Sequence, residues 1–423
     1  MVQVPRGTRD FTTDEMEKRR YIEKNMTSTF LSFGYGEIQT PTFENIELFT
    51  AKSGDAILNE IYNFTDKGGR ELALRPELTA PVIRCYVERL QMEPKPLKLF
   101  YFGNCYRYDR PQKGRYREFR QAGCEVIGTD TTEALAELIA LAFTVLKNIG
   151  LKNIHINIGN LTIIKAIFNK FHLLKQDQKK LLPLIDKSQF DELKICLQGC
   201  NVPEKDSDDF INILRTSDVK EIRDFINNDS DAINELSIME KIIDLLKNSF
   251  HITDYNINLG IVRGLDYYKG LVFEIDAPVL GAEKQLCGGG SYDLVTLFGG
   301  TAVPTSGFAI GFDRTILALE SEKFLFPVSK LDLFIIPINQ NMIPICIDIA
   351  QQLRNKAISI DMDLLRRGVG KSLKYADAKH VQQVIIVGPK ELEKNTVIIR
   401  DMKTGNQEIV AISEISEKIK KKT

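Results

Sequence analysis

This sequence lacks long apolar runs and an excess of charge of one sign, and it contains only four histidines. No segment approaches the roughly 18 consecutive apolar residues that a membrane-spanning helix requires, and the start, MVQVPRGTRDF, has no apolar run of signal-peptide length. The 56 basic and 57 acidic residues nearly cancel, which excludes a molecule that is basic over its whole surface. We therefore expect a cytoplasmic protein that meets any charged partner through a local patch.

The cysteines do not follow the pattern of a disulfide framework. Their number is odd, and most lie in apolar or glycine-rich segments, at positions 85, 105, 124, 196, 200, 287 and 346. Cys196 and Cys200 form a CxxxC pair, but the sequence has no second such pair and only four histidines to complete a metal site. We expect reduced thiols and no metal site made of protein ligands alone.

The remaining composition is that of a globular protein with more than one domain. Of the 423 residues, 43% are apolar and 27% are charged, and a chain of this length exceeds one ordinary core. Residues 1–325 combine a helix start at Thr12 and Glu15, aromatic strand-like segments and a helix over 131–149. Inside this region, residues 160–250 have apolar positions three and four apart and almost no glycine, which predicts a helical insertion.

Residues 331–423 alternate strand-like and helix-like segments, which predicts a small α/β domain with a partly parallel sheet. This part has 15 basic and 11 acidic residues, and the basic ones concentrate in RRGVGKSLKY (366–375) and KIKKK (418–422). Such a patch binds a local anionic partner or forms a solvated charged face, and the sequence leaves both interpretations open.

A strongly basic hairpin is predicted over YRYDRPQKGRYREFRQAGCE (106–125), where two strand-like segments flank a Pro-Gln-Lys-Gly turn. One interpretation is a solvated hairpin. The other is a phosphate clamp, because arginine forks match phosphate oxygens and stay protonated, so that Arg107 could neutralise a reacting phosphoryl group.

Two glycine-containing segments are candidates for ligand binding. In GFDRTILALE (311–320), Arg314 stands near the start of an apolar helix, where its charge opposes the helix dipole unless an anion is bound nearby. Gly311 would let that ligand approach the backbone. In CGGGSYDLV (287–295), the three glycines indicate either a tight turn or a close backbone approach, with Tyr292 able to present its hydroxyl there.

Two further segments place polar residues in strand-like surroundings. In ALRPELTAPVIR, Glu77 and Thr79 follow a proline that cannot join a sheet interior, and Glu77 alone is also explained as a charge at a helix start. The segment GIVRGLDYYKGLVFEI (260–275) alternates like a half-buried strand, yet it contains Arg263, Tyr267 and Tyr268.

The order of these segments resembles the class II aminoacyl-tRNA synthetases, and within that class the histidyl-tRNA synthetase family. The resemblance rests on RGTRDF, LRPELTA, the basic hairpin, RGLDYYKGLVFE, GGGSYD, GFAIGFDR and LKYADA…IIVGPKE…VIIRDMKTGNQ. It covers nearly the whole chain except 160–250. It implies an α+β catalytic domain, an antiparallel sheet flanked by helices, over 1–325, with the helical insertion, and an α/β anticodon-binding domain over 331–423.

The resemblance also implies roles for residues at matching positions. The catalytic residues would be Arg107, Arg263 and Arg314. Histidine would be bound by Glu77, Thr79, Gln121, Glu125, Tyr267, Tyr268 and Tyr292. ATP would be bound by Arg107, Asp109, Arg115, Gly311 and Arg314. The acceptor end of tRNA would contact Gln112, Lys113 and Arg115.

The implied activity is that of an AMP-forming histidine–tRNA ligase. L-histidine is activated with ATP, with Mg²⁺ bound through the ATP phosphates, and is then transferred to the 3′ end of tRNA(His). Since the substrate carboxylate is already ionised at pH 7, no general base is needed, and electrostatic stabilisation by arginines provides the catalysis. A homodimer is implied, with residues 37–45 near its interface.

Two positions depart from the family pattern. Ser291 stands where an arginine is common, which puts one contact in doubt, and Asp109 replaces a longer glutamate, which could shorten its reach toward ATP or metal.

Two alternatives share the motifs. A non-catalytic synthetase-like regulatory subunit of ATP phosphoribosyltransferase would typically lack the anticodon-like region and the arginine of RGLDYY, both of which this sequence has. A class II synthetase for glycine, threonine or proline would lack RGLDYY.

Overall fold

A computed structural model describes residues 2–110, 114–262, 268–327 and 331–420 of the chain. The chain divides into two compact units, Met1–Phe326 and Pro327–Thr423. Along the described ranges, no helix is long and apolar enough to cross a membrane.

The first unit is built on a large mixed sheet. The strands of this unit are β1 (Gly36–Glu37), β2 (Phe43–Asn45), β3 (Asn63–Thr65), β4 (Glu71–Leu74), β5 (Leu97–Tyr106), β6 (Glu118–Ile127), β7 (His155–Asn160), β8 (Tyr255–Ile257), β9 (Tyr268–Asp276), β10 (Gln285–Tyr292) and β11 (Thr305–Gly311). The large sheet has the order β1-β5-β6-β11-β10-β9-β7-β8, antiparallel from β5 to β7 and parallel at both edges. Strands β2, β4 and β3 form a small separate sheet.

Helices cover the large sheet and fill the chain between β7 and β8. They are α1 (Thr13–Ser32), α2 (Glu47–Ser53), α3 (Thr79–Cys85), α4 (Thr132–Asn148), α5 (Leu161–Lys170), α6 (Lys175–Asp186), α7 (Phe190–Gly199), α8 (Glu204–Arg215), α9 (Val219–Phe225), α10 (Ser230–Asn248) and α11 (Phe312–Ser321). The long helix α1 begins as the sequence predicts, because Glu15 accepts the Thr12 backbone N–H at 2.8 Å. It ends before Gly34, whose φ of +81° is a left-handed conformation.

The core between the helices and the sheet is apolar and aromatic. The rings of Phe30 in α1 and Phe100 in β5 stack with centroids 5.0 Å apart, and both side chains are fully buried. Helix α4 contributes a nearly continuous apolar face to the same core. On the opposite face, Leu99 of β5 and Ile127 of β6 pack in a second buried cluster with Val82 and Ile83 of α3, so that both faces of these strands are covered.

The structure decides between the two interpretations of the glycines and shortens one predicted strand. The three glycines at 288–290 lie within β10 and do not form a turn; a Cβ on Gly290 would lie 2.5 Å from the carbonyl oxygen of Leu271 on β9. The strand predicted over 260–275 begins at Tyr268 within the described residues.

The second unit is a small α/β domain with its own sheet of order β13-β12-β14-β15-β16. Its strands are β12 (Leu333–Pro337), β13 (Ile360–Met362), β14 (Gln383–Val387), β15 (Thr396–Asp401) and β16 (Gln407–Ala411), and its helices are α12 (Ile343–Arg354), α13 (Val369–Ala378), α14 (Pro389–Leu392) and α15 (Ile415–Lys420). Strands β13, β12 and β14 are parallel and the other two pairings are antiparallel. The sheet is therefore partly parallel, as predicted.

Candidate active site

A buried carboxylate lies at the centre of the large sheet. Glu125 in β6 is fully buried, and both of its oxygens are hydrogen-bonded. The hydroxyl of Tyr101 in β5 donates to Oε1 at 2.8 Å, and the hydroxyl of Tyr292 in β10 donates to Oε2. A carboxylate held in this way can still accept hydrogen bonds from a ligand, because its two oxygens offer about four lone-pair sites.

Burial dominates the electrostatics of this carboxylate. It raises the pKa of Glu125 to about 8, although hydrogen bonds from Tyr292, Tyr101 and Thr79 act in the opposite direction. Tyr268 begins β9 opposite Tyr292, and burial together with the nearby charge of Glu125 raises its pKa. The structure therefore brings Thr79, Glu125, Tyr268 and Tyr292 together in one buried polar cluster, which is the proposed pocket.

Glu77 lies near Glu125 and Gln121 lines the neighbouring cleft, and both side chains already make hydrogen bonds. The carboxylate of Glu77 accepts the backbone N–H groups of Thr79 at 2.7 Å and Ala80 at 3.1 Å, so that it caps the start of α3. Its charge also raises the pKa of Glu125, which places it within electrostatic reach. The side-chain oxygen of Gln121 accepts a hydrogen bond from the thiol of Cys105 at 3.2 Å.

Two glycines leave the space that the buried polar groups occupy. Gly307 in β11 is paired with Glu125, and a Cβ on it would lie 1.7 Å from Glu125 Oε2. Gly123 in β6 is paired with Tyr101, and a Cβ on it would lie 2.7 Å from the Tyr101 hydroxyl. Sequence reasoning missed Tyr101 and both glycines, since only the strand register shows what they face.

A cleft of about 330 Å³ opens beside this pocket, between the basic hairpin, β10 and the start of α11. Every residue predicted to bind ATP lines it, namely Arg107, Asp109, Arg115, Gly311 and Arg314. Arg107 and Asp109 also line an adjoining cavity of about 250 Å³ together with Glu77. The cleft for an anion and the pocket around Glu125 are therefore neighbours.

The arginines of the cleft are oriented by their surroundings. Arg107 donates from Nε to the carbonyl oxygen of Pro76 at 2.9 Å and lies 5.1 Å from the ring centre of Phe119. Arg314 donates to the carbonyl oxygen of Gln285 at 3.1 Å and pairs with Glu283 at 2.5 Å. Both guanidinium groups are held in place at the cleft wall, which suits them to bind phosphate.

Asp313, which the sequence did not single out, ties the first residues of the chain to this cleft. Its buried carboxylate pairs with Arg9 at 2.9 Å and Arg19 at 2.7 Å, and accepts the backbone N–H of Arg120 at 2.8 Å. Asp313 lines the cleft and directly precedes Arg314. The signal available in the sequence was the RGTRDF segment, in which Arg9 pairs with a residue 304 positions away.

Four predicted site residues lie outside the described residues: Gln112, Lys113, Arg263 and Tyr267. Their roles stay predictions.

The cleft offers little for a metal ion held by protein alone. Among residues that the structure describes, no three His, Cys, Asp or Glu side chains are grouped to bind one. Asp313 is engaged by arginines, which leaves Asp109 as the carboxylate at the cleft that could assist an ion brought by phosphates.

A sheet that is antiparallel except at its two edges and flanked by helices, with a buried polar cluster and an arginine-lined cleft, is the arrangement of a class II aminoacyl-tRNA synthetase. The family model "Histidyl-tRNA synthetase" matches residues 7–315, and the model "Anticodon binding domain" matches residues 332–422. The chain belongs to the histidyl-tRNA synthetase family. The predictions of the family and of the fold class are thereby confirmed.

Individual proteins of this family are similar to this chain over its full length. A histidine–tRNA ligase of Methanosarcina acetivorans is 44% identical over 425 residues, which cover 99% of this chain and 98% of the relative. The crystal structure of apo histidyl-tRNA synthetase from S. aureus superposes with a TM-score of 0.74 at 29% identity, covering 99% of this chain and 100% of that chain.

The fold does not by itself separate the two leading interpretations. A structure described as an ATP phosphoribosyltransferase regulatory subunit/histidyl-tRNA synthetase from Bacillus halodurans C superposes with a TM-score of 0.78 at 26% identity, covering 91% of this chain and 98% of that chain. The full-length similarity to a ligase and the matching anticodon-binding region do not favour the regulatory-subunit alternative.

Proposed function

We propose that this protein is a histidine–tRNA ligase, which forms histidyl-adenylate from L-histidine and ATP and transfers histidine to the 3′ end of tRNA(His). The observation that carries the proposal is the buried Glu125 carboxylate, fixed by two tyrosine hydroxyls and next to a cleft lined by Arg107 and Arg314. The pocket suits a small ring with N–H groups, and the cleft suits a polyphosphate.

The pocket explains selection of histidine by hydrogen bonding. A neutral imidazole has one N–H donor and one acceptor nitrogen. Glu125 accepts the hydrogen bond of the N–H, and the hydroxyl of Tyr268 or Tyr267 donates one to the other nitrogen. An amino acid without these atoms would leave the buried carboxylate unpaired, which strongly disfavours its binding. Glu77, Thr79 and Gln121 hold the α-amino group at the border of the pocket, and Tyr292 supports Glu125.

Activation requires that two anions be brought together. A carboxylate oxygen of histidine forms a bond to the α-phosphorus of ATP while the bond to pyrophosphate breaks. Arg107 and Arg263 neutralise the α-phosphate, and Arg314 holds the adenine or γ-phosphate end, with Gly311 allowing close approach. The carboxylate is already ionised, so no side chain has to remove a proton.

The family uses ATP in catalysis. Mg²⁺ would enter with the ATP phosphates, assisted by Asp109, and would neutralise their charge.

Transfer requires contacts to RNA in both parts of the chain. In the second step a hydroxyl of the terminal ribose attacks the activated carbonyl carbon, and AMP leaves. Gln112, Lys113 and Arg115 of the basic hairpin contact the acceptor end. Residues 1–325, with their insertion over 160–250, act as the catalytic domain, and residues 331–423 bind the anticodon, supported by the exposed Lys371 and Lys374 of α13.

The protein is expected to act as a homodimer in the cytoplasm, where tRNA charging serves translation. Support for a dimer comes from Phe43 in β2, which is 53% exposed and packs edge-on against Phe64, itself 42% exposed. These rings lie in or beside the segment 37–45, and exposed apolar pairs of this kind favour association.

Amino-acid-dependent ATP–pyrophosphate exchange tests the proposal. We expect exchange with histidine and none of comparable rate with the other amino acids. Exchange driven equally by another amino acid would refute the pocket, and no exchange with any amino acid would favour the regulatory-subunit alternative. Charging of tRNA(His) transcript by the same preparation tests the second step.

A further inference from the structure

We infer that Tyr101 is a positioning residue for the histidine pocket: its hydroxyl fixes Glu125 as the acceptor for the imidazole N–H. The inference rests on the proposed function and adds a specificity-determining residue to it. Tyr101 is not one of the residues that family resemblance brings to the pocket, and its place follows from the geometry of three adjacent strands.

Tyr101 lies at a buried position of the sheet close to Glu125. Tyr101 is 2% exposed and pairs with Gly123, two residues before Glu125 on β6. A Cβ on Gly123 would lie 2.7 Å from the Tyr101 hydroxyl and 2.8 Å from its Cε2. The missing side chain lets the ring lie across β6, so that the hydroxyl reaches Glu125 Oε1 at 2.8 Å.

Tyrosine hydroxyls hold Glu125 from two directions. In the strand order β5-β6-β11-β10, Tyr101 approaches from the strand on one side of Glu125, and Tyr292 from two strands away on the other side. One phenol donates to each oxygen. Gly307 on the intervening strand leaves the room in which the carboxylate lies. Without the Tyr101 hydroxyl, Oε1 loses this phenol donor, and the carboxylate keeps only Tyr292 and Thr79 as donors among the described residues, so that its last torsion is less restricted.

Tyr101 also affects the charge state of Glu125. The hydrogen bond from Tyr101 lowers the pKa of Glu125, which burial has raised to about 8. Titratable groups that interact with Glu125 are Tyr35, Glu77, Tyr101, Cys124, Tyr268 and Tyr292. Burial raises the pKa values of Tyr35, Tyr101, Cys124 and Tyr268 away from neutrality. Loss of the Tyr101 hydroxyl therefore moves the titration of Glu125 to higher pH.

The test is Tyr101→Phe, which removes one oxygen and keeps the ring. Tyr86→Phe is the matched control, because Tyr86 is equally buried in the same apolar cluster and packs against Lys95. Histidine-dependent exchange is measured from pH 6 to 9 at varied histidine and varied ATP. For Tyr101→Phe we expect the histidine KM to rise about tenfold, the ATP KM to stay within about twofold, and the midpoint of kcat/KM for histidine to move to higher pH.

Each other result counts against the inference. Unchanged histidine KM, equal increases in the histidine and ATP KM values, or a raised histidine KM with an unmoved pH midpoint would each assign Tyr101 to packing alone. Should Tyr101→Phe unfold, Tyr292→Phe, which removes the phenol donor to the other oxygen of Glu125, is measured in its place: a raised histidine KM with an unchanged ATP KM supports positioning of Glu125 by the phenols, and an unchanged histidine KM counts against it. Failure of the wild-type protein to use histidine is a separate outcome, since it refutes the proposed function and not the Tyr101–Glu125 coupling.

Discussion

Gly307 and Glu125 face each other as paired residues on β11 and β6, and the glycine has no room for even one carbon atom. A Cβ at Gly307 would lie 1.7 Å from Glu125 Oε2 and 2.6 Å from the carbonyl oxygen of Cys124. The first clash displaces the carboxylate that the pocket depends on. The second involves backbone and cannot be relieved by a side-chain rotation.

Gly307→Ala is therefore expected to impair both folding and histidine recognition. Overpacking of a core typically costs about 1–3 kcal/mol, and a displaced Glu125 should raise the histidine KM by about tenfold or more. Urea unfolding and exchange kinetics measure the two effects. Gly199→Ala is the control, because a Cβ at the end of α7 meets nothing within 4 Å. A Gly307→Ala protein with normal histidine KM would show that the carboxylate does not bind the ring.

The stability of the protein should fall as pH rises through the titration of Glu125. Its pKa is raised from an ordinary 4.5 to about 8 by burial, so its contribution to stability is complete below pH 4.5 and is lost as pH rises through 8. Each pH unit between these values contributes about 1.4 kcal/mol at most. Glu125→Gln should not show this loss. The free energy of unfolding of the variant relative to that of wild type should therefore increase between pH 5 and pH 8.5.

Urea unfolding at both pH values measures this difference. Glu93→Gln removes the same charge from an exposed position and serves as the control. A Glu125→Gln protein whose stability follows wild type at both pH values would contradict a raised pKa for Glu125.

The sequence predicts local elements and single residues well and their pairing poorly. The helix expected over 131–149 is α4, Thr132–Asn148, because its cap and its apolar periodicity are local signals. Glu125 is found through family resemblance. Its partners Tyr101, Tyr292 and Gly307 lie 24, 167 and 182 residues away, and they meet it only after the register of β5, β6, β11 and β10 is set. No periodicity in the sequence encodes that register.

The long-range ion pair of Arg9 could likewise not be predicted from the sequence, and it leads to a prediction for ATP binding. Arg9 pairs with Asp313, whose neighbour Arg314 lines the cleft. Arg9→Met keeps the length of the side chain and removes the ion pair, and a hydrogen bond to a charged group is worth about 1.5–3 kcal/mol. We expect the ATP KM to rise about tenfold and the histidine KM to change little in exchange assays.

Arg20→Met is the control for Arg9→Met, because Arg20 is 71% exposed and pairs only with Glu23 in the same helix among the ion pairs of the described residues. Such surface pairs contribute about 0–1 kcal/mol. A lower melting temperature without any change in the ATP KM would limit Arg9 to a structural role.

The basic face of α13 gives the last prediction, which concerns RNA. Lys371 and Lys374 are exposed three residues apart on one helix, so that both can reach the same stretch of phosphates. Because each phosphate contact releases counterions, the double variant Lys371→Glu/Lys374→Glu should weaken tRNA(His) binding and reduce its salt slope by about 1 to 2. Histidine-dependent exchange should stay unchanged, since that reaction involves no RNA. Lys403→Glu, in the turn between β15 and β16, is the control, and equal weakening by this variant would indicate attraction by net charge in place of a binding face on α13.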